Sequence, residues 1–188
     1  MEFTMKRLLI PMLSFSFLFG CQQSEEPKIV SAETNVKHLV SYKDSYVGDN
    51  STIANIIAHL PGNAYFHQFS LQTKKKPYYI SIDYKADKNL NQFEHEWSET
   101  RTKKTLLNNA TALLILVQDA NAVHFNVHTI VPQSITITRN ELEDFYGRPL
   151  STYAASENEW RKKVIQQIIN NPNKVDEFYQ LHPITELE

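Results

Sequence analysis

From Leu106 to Val127 the chain reads LLNNATALLILVQDANAVHFNV, and within that stretch the apolar period changes once. Leu106, Leu107, Ala110, Leu113, Leu114 and Val117 recur at the three-and-four spacing of one helix face, while Ala112, Ile115 and Leu116 widen the face toward its C-terminal end. Asp119-Ala120-Asn121 supplies a turn, and Val123, Phe125 and Val127 then recur at every second residue, the period of a strand. The spacing predicts a central helix over about 102–118, buried on more than one side, followed by a half-buried strand.

Upstream, Asp49 or Asn50 is placed to cap a helix from Ser51 to Leu60, with Ile53, Ile56, Ile57 and Leu60 on one face and Pro61-Gly62 as its stop. Tyr65, His67, Phe69 and Leu71 alternate with Phe66, Gln68, Ser70 and Gln72 as a half-buried strand. Ile80, Ile82 and Tyr84 form the inner face of a second. Lys74 to Pro77 is long enough for a hairpin connection, so this pair is expected to be antiparallel. Downstream, Ser134 to Thr138 is a fourth strand, and Thr138 with Glu141 makes a capping box for a short helix ending near Tyr146-Gly147. Ser156 with Glu159 opens a helix carrying Trp160, Val164, Ile165 and Ile168, and Lys174 to Tyr179 adds a last helical turn or two. The expected fold class is α+β, a mainly antiparallel sheet of about four strands with helices packed on one face.

The N-terminus carries a different signal. Lys6 and Arg7 precede the mostly apolar run Leu8 to Phe19, and Gly20 stands before Cys21. These are the n-region, h-region and small-residue site of a secretory signal. The run carries Pro11, Ser14 and Ser16 and is shorter than the roughly 20 apolar residues that a spanning helix needs. Leu18-Phe19-Gly20-Cys21 resembles the bacterial lipobox, which implies diacylglyceryl transfer to the Cys21 sulfur and cleavage before it. The expected organisation is a lipoprotein signal peptide (1–20), a flexible tether (21–34) and a single domain (35–188), held by lipid on the outer side of the cell membrane.

Charge and cysteine content narrow the function classes. Cleavage would remove Lys6, Arg7 and Glu2, leaving 17 basic and 20 acidic residues and a formal charge of −3. Such a balance makes no strong field for nucleic acid. Cys21 is the one cysteine, so no disulfide or cysteine zinc cluster is available.

Tyr42-Lys43, Tyr46-Val47-Gly48-Asp49-Asn50-Ser51 and Leu71-Gln72-Thr73-Lys74-Lys75-Lys76-Pro77-Tyr78 resemble an uncharacterised bacterial domain family over about Val40 to Leu150. The resemblance implies a context rather than a chemistry: small lipoproteins of Bacillus-like organisms and extracytoplasmic modules fused to membrane proteins, including relatives of β-lactam-sensing receptors. It assigns no catalytic or binding residue. The Gly48-Asp49-Asn50 step reads as a backbone turn, with positive φ at Gly48, leading into a helix cap.

No nucleophile motif of the G-x-S-x-G or S-x-x-K kind is present, and the four glycines build no phosphate loop. His124, Asn126 and His128 fall on one strand face, where the two histidines are ~13 Å apart and cannot share a metal. Glu94-His95-Glu96 reads as a charged linker between strand and helix, and Glu141, Glu143 and Asp144 as capping and solubility. No enzyme activity, metal or cofactor is expected. Lys74, Lys75 and Lys76 beside Tyr78 read either as a solvated hairpin turn or as a contact for a partner or an anionic envelope polymer, and are the surface feature to mutate first. The expected function is non-enzymatic recognition of a protein, peptide or envelope component. The alternative is a small-molecule-binding lipoprotein whose pocket is lined by Tyr65, Tyr78, Tyr79, Tyr84 and Trp97.

Overall fold

The computed structural model describes residues 32–187. The expected signal peptide of residues 1–20, the expected lipidation site Cys21 and the expected tether as far as residue 31 lie outside the described residues. In chain order the elements are α1 (Ala32–Leu39), a 3-10 turn (Val40–Tyr42), α2 (Asn50–Ala58), a second 3-10 turn (Asn63–Tyr65), β1 (Phe66–Gln72), β2 (Tyr78–Tyr84), α3 (Leu90–Glu96), α4 (Glu99–Leu116), β3 (Ala120–Val127) and β4 (Gln133–Thr138). Then come α5 (Arg139–Tyr146), a 3-10 segment (Leu150–Ala155), α6 (Glu157–Glu159) running into a π-helical stretch (Trp160–Ile169), α7 (Pro172–Leu181) and β5 (Thr185–Glu186).

The fold is α+β. Its sheet has five strands in the order β1-β2-β3-β4-β5 rather than about four, because the two-residue β5 pairs with Gln133 and Ser134. Three of the four pairings are antiparallel, including the expected β1–β2 hairpin. β2 and β3 are parallel. Strands that point the same way need a long crossover, and α3 with α4 supplies it.

Ile80, Ile82, Tyr84, Val123, Phe125 and Val127 are fully buried on one face of the sheet, with Ile135 and Ile137 beside them. α4 belongs to the same core, and every residue from Leu106 to Val117 is buried. Its polar members are satisfied. Asn109 Nδ2 donates to Pro61 O and to the Tyr84 hydroxyl at 2.9 Å each, and Asn108 Nδ2 donates to Asn109 Oδ1 at 3.1 Å. Unpaired, each such group would cost about 1–3 kcal/mol.

Local chemistry explains most boundaries. The Asp49 carboxylate accepts from Thr52 N at 3.0 Å and Thr52 Oγ1 at 2.6 Å, which caps α2 as expected. Gly48 does not have the positive φ expected of it. Asp44 does (φ 67), one turn earlier, and among the described glycines Gly62 and Gly147 do. Thr138 and Glu141 complete both halves of their capping box, and Gly147 ends α5 in the left-handed conformation. Ser156 accepts from Glu159 N at 3.4 Å.

Two expectations fail for identifiable reasons. Glu94-His95-Glu96 is not a linker: it belongs to α3, which Asn89 caps and which buries Phe93, with Trp97 buried just past its end. In the helix after Ser156 the buried residues are Trp160, Val164, Ile165 and Ile169, whereas Ile168 is half-buried. A π-helix turns less per residue than an α-helix, and that carries Ile169 rather than Ile168 onto the core side.

The segment before α2 is tied to the end of α4. Ser45 N donates to Leu116 O at 3.0 Å, Gln118 N donates to Ser45 O at 2.9 Å, and Val47 N donates to Asp119 Oδ1 at 2.8 Å. Across from them, Arg139 donates from Nε to Ala120 O at 3.0 Å and from Nη2 to Val117 O at 2.8 Å. One guanidinium thus closes the corner where α4 becomes β3.

Candidate functional site

β1 is the outer strand of the sheet, and its sequence Phe-His-Gln-Phe-Ser-Leu-Gln contains no Lys, Arg, Asp, Glu or Pro. Edge strands are ordinarily guarded by such residues, because a row of unpaired N–H and C=O groups invites another strand. Among the described residues nothing pairs with the outer side of β1. Phe69 and Leu71 lean half-buried toward the core, while Phe66, His67, Gln68 and Ser70 are exposed. A bulge at Phe66/Gln68 sits at its start, where added twist limits how far pairing extends.

Lys74, Lys75 and Lys76 occupy the loop at the other end of this edge and are all exposed. The loop is held in shape by one side chain: Gln72 accepts from Lys74 N at 3.0 Å and donates through Nε2 to the Lys75 carbonyl. Tyr78, the first residue of β2, donates its backbone N–H to Asn121 Oδ1 at 3.1 Å, and Lys76 Nζ lies 5.7 Å from its ring centre. The four residues singled out in the sequence are therefore one cationic tip beside an unguarded edge. From Phe66 to Tyr78 there is no acidic residue.

The pleat positions facing away from the core form polar rows across the strands. Gln68, Asp83, Asn126 and Ser134 make one, and Ser70, Ser81, His124 and Thr136 the next. Gln68 Nε2 and Asn126 Nδ2 donate to the two Asp83 oxygens at 2.6 and 2.8 Å, and His124 Nδ1 lies 2.9 Å from Thr136 Oγ1. Only Asp83 carries a formal charge in these two rows. His124 is thus part of a hydrogen-bonded polar face on which it already has a partner, and His128 lies just past the end of β3.

Other sequence candidates have structural occupations. Glu94 Oε1 accepts from Ile130 N at 2.8 Å, Glu96 Oε2 accepts from Arg101 at 2.8 Å, and His95 is exposed. Among the described residues no three His, Cys, Asp or Glu side chains gather as a metal would require. The five aromatics proposed for a pocket are not gathered either: Tyr84 packs on Trp97 with ring centres 4.5 Å apart in the core, and Tyr79, 38 % exposed, lies on the polar face. Tyr65 and Trp97 alone share the lining of a small cavity. Sequence periodicity could not mark β1 as the edge, since strand order is a tertiary property. The missing charges in Phe66–Gln72 were the readable sign. Among the described residues no helix is long and apolar enough to cross a membrane.

A family model described as Domain of unknown function (DUF4825) matches residues 39–138, from the last residue of α1 to the end of β4. That span holds β1, the lysine tip, the polar face and α4. No curated protein and no solved structure matches the chain.

Proposed function

The chain belongs to the DUF4825 family, a domain of unknown function, and from that premise we propose that it is a non-enzymatic recognition module that captures an extended, acidic peptide segment of an envelope protein. The observation that carries this reading is the seven-residue β1 edge, free of guarding charges, ending in Lys74-Lys75-Lys76. An added strand would gain main-chain hydrogen bonds along the edge, and the lysines would select acidic residues at one end. Neither nucleic acid nor a cofactor enters the reading.

The test uses a fluorescent eight-residue peptide of alternating Val and Thr with two Glu at its N-terminal end, the end that meets the lysine tip in an antiparallel addition. Saturable anisotropy is expected, with a loss of about tenfold or more in affinity when Lys74, Lys75 and Lys76 are all replaced by Glu. N-methylation of alternate peptide residues should abolish binding. Undiminished binding by the N-methylated peptide would show that no strand is added and sink the reading.

The reading also places the domain outside the cell, held at the membrane by lipid on Cys21. Cys21→Ala removes the only thiol in the chain. The variant should take up no lipid label and should stay unprocessed at this site. A normal labelling signal from it would refute the anchor.

A further inference from the structure

Arg148 and Lys163 line one open cleft together with Phe145, Tyr146, Tyr153 and Gln167, and no acidic side chain is part of that lining. Two like charges brought to one cleft repel each other, and an anion placed between them relieves the repulsion. Neither cation is fully occupied. Arg148 Nη2 lies 3.4 Å from Glu159 Oε2, while Nη1 has no partner among the described residues. The Arg148 Nε is covered by packing and unpaired, so the donors this side chain can turn to the cleft are its Nη nitrogens. Lys163 is half-buried and forms no ion pair among the described residues, whereas its neighbour Lys162 is exposed.

The backbone explains why these groups meet. Arg148 follows Gly147, whose left-handed conformation ends α5, and its guanidinium then stacks on Tyr153 with Cζ 4.0 Å from the ring centre. Stacking fixes the plane of the guanidinium. Lys163 and Gln167 come from the π-helical stretch Trp160–Ile169. That geometry is rare and is found frequently at functional sites, and here it supplies one wall of the cleft.

Size and charge define the ligand. The cleft measures about 280 Å³, beside the roughly 300–1,000 Å³ of small-molecule sites. A guanidinium can hold two oxygens of one anionic group, and an ammonium adds a point charge to the same group. A carboxylate brings one negative charge to the two cations. A phosphate monoester brings about 1.5–2, on three acceptor oxygens. The half-buried rings of Phe145 and Tyr146 offer wall for a flat apolar body.

We propose that this cleft binds a small aromatic phosphate monoester, with the phosphoryl group on Arg148 and Lys163 and the ring against Phe145 and Tyr146. The site does not rest on the strand-edge reading. Its residues belong neither to β1 nor to the lysine tip, and they follow residue 138, where the family match ends.

Isothermal titration of the full chain with phenyl phosphate should show one saturable site. Inorganic phosphate, which lacks the ring, and benzoate, which lacks the second charge, should each bind about tenfold more weakly. Lys163→Gln should cost about tenfold in affinity, and Lys162→Gln, the same charge change one residue away, should cost nothing. Arg148→Lys keeps the charge and loses the fork, and it should also weaken binding about tenfold. Replacing Lys74, Lys75 and Lys76 by Glu should leave phenyl phosphate binding intact, which keeps this test apart from that of peptide capture. Equal losses from Lys162→Gln and Lys163→Gln would mean a diffuse surface charge and overturn the site. Benzoate binding as tightly as phenyl phosphate would overturn the phosphoryl assignment, and inorganic phosphate doing so would overturn the aromatic body. Absence of saturable binding with every probe would overturn the cleft altogether.

Discussion

Leu113→Asp is expected to leave no folded domain at neutral pH. Leu113 is fully buried in the middle of α4, flanked by Ala112, Leu114 and Ile115, which are themselves buried. The substitution removes the leucine's own contribution, about 2–5 kcal/mol for a large core side chain cut back. It also places a carboxylate where no partner exists, at a further cost of several kcal/mol. Together these approach the roughly 5–15 kcal/mol that holds a whole domain. Such a carboxyl would have a folded-state pKa raised above the unfolded one. Its penalty is therefore full above the folded pKa and shrinks as pH falls toward the unfolded value near 4. Far-UV circular dichroism should show a loss of cooperative melting at pH 7, whereas Leu113→Met should fold with a loss of less than about 1.5 kcal/mol.

Asp49→Ala makes the useful contrast. Asp49 sits on the surface, where its hydrogen bonds from Thr52, and then from Ser51, lower its pKa. Its contribution is present above the unfolded pKa and lost as pH falls through the depressed folded value. The variant should fold, melt slightly earlier, and lose that difference from the parent in acid. Unfolding as complete as that of Leu113→Asp would overturn the cap assignment.

Arg139→Met should give the second largest loss, about 3–5 kcal/mol. The substitution keeps the aliphatic stem and deletes the donors to Val117 O and Ala120 O, along with the ion pair to Glu143 at 3.7 Å. Val117 closes α4, so the guanidinium also sits at the negative end of that helix. For a domain of this size each kcal/mol shifts Tm by about 2–4 °C, so the midpoint should fall by about 6–20 °C. A shift under ~2 °C would show that water replaces the guanidinium at this corner.

Where a segment carried several turns of one period, its element was legible: α4, β2 and β3 follow from apolar spacing alone, and Thr138, Glu141 and Gly147 mark the ends of α5. α3 is hard to read because Leu90 and Phe93, with Trp97 just past its end, are set among Asn, Gln, Glu and His in only about two turns. β5 is two residues long, too short for any period. The π-helical stretch changes the period itself, so an α-helical period points to Ile168 where Ile169 is buried. Parallel pairing of β2 with β3 depends on where α4 lies, and inner-face alternation reads the same for either direction. Lys74–Lys76 and Tyr78 were visible as a cluster, but their place beside an open edge was not. The meeting of Arg148 and Lys163 in one cleft arises from packing, where the end of α5 meets the π-helical stretch.

The hydrogen-bonded rows on the open face of the sheet have one consequence for measurement. At physiological ionic strength the Debye length is about 8 Å, so added salt screens whatever the exposed lysines attract. A face built from amides, hydroxyls and one carboxylate already held by Gln68 and Asn126 offers salt very little to screen. Peptide binding that fades as potassium chloride is raised belongs to the hairpin tip, and binding that holds steady belongs to the uncharged part of the sheet, its β1 edge and its pleated face alike. A salt series on the unmodified protein therefore separates two surfaces that share a single β-strand.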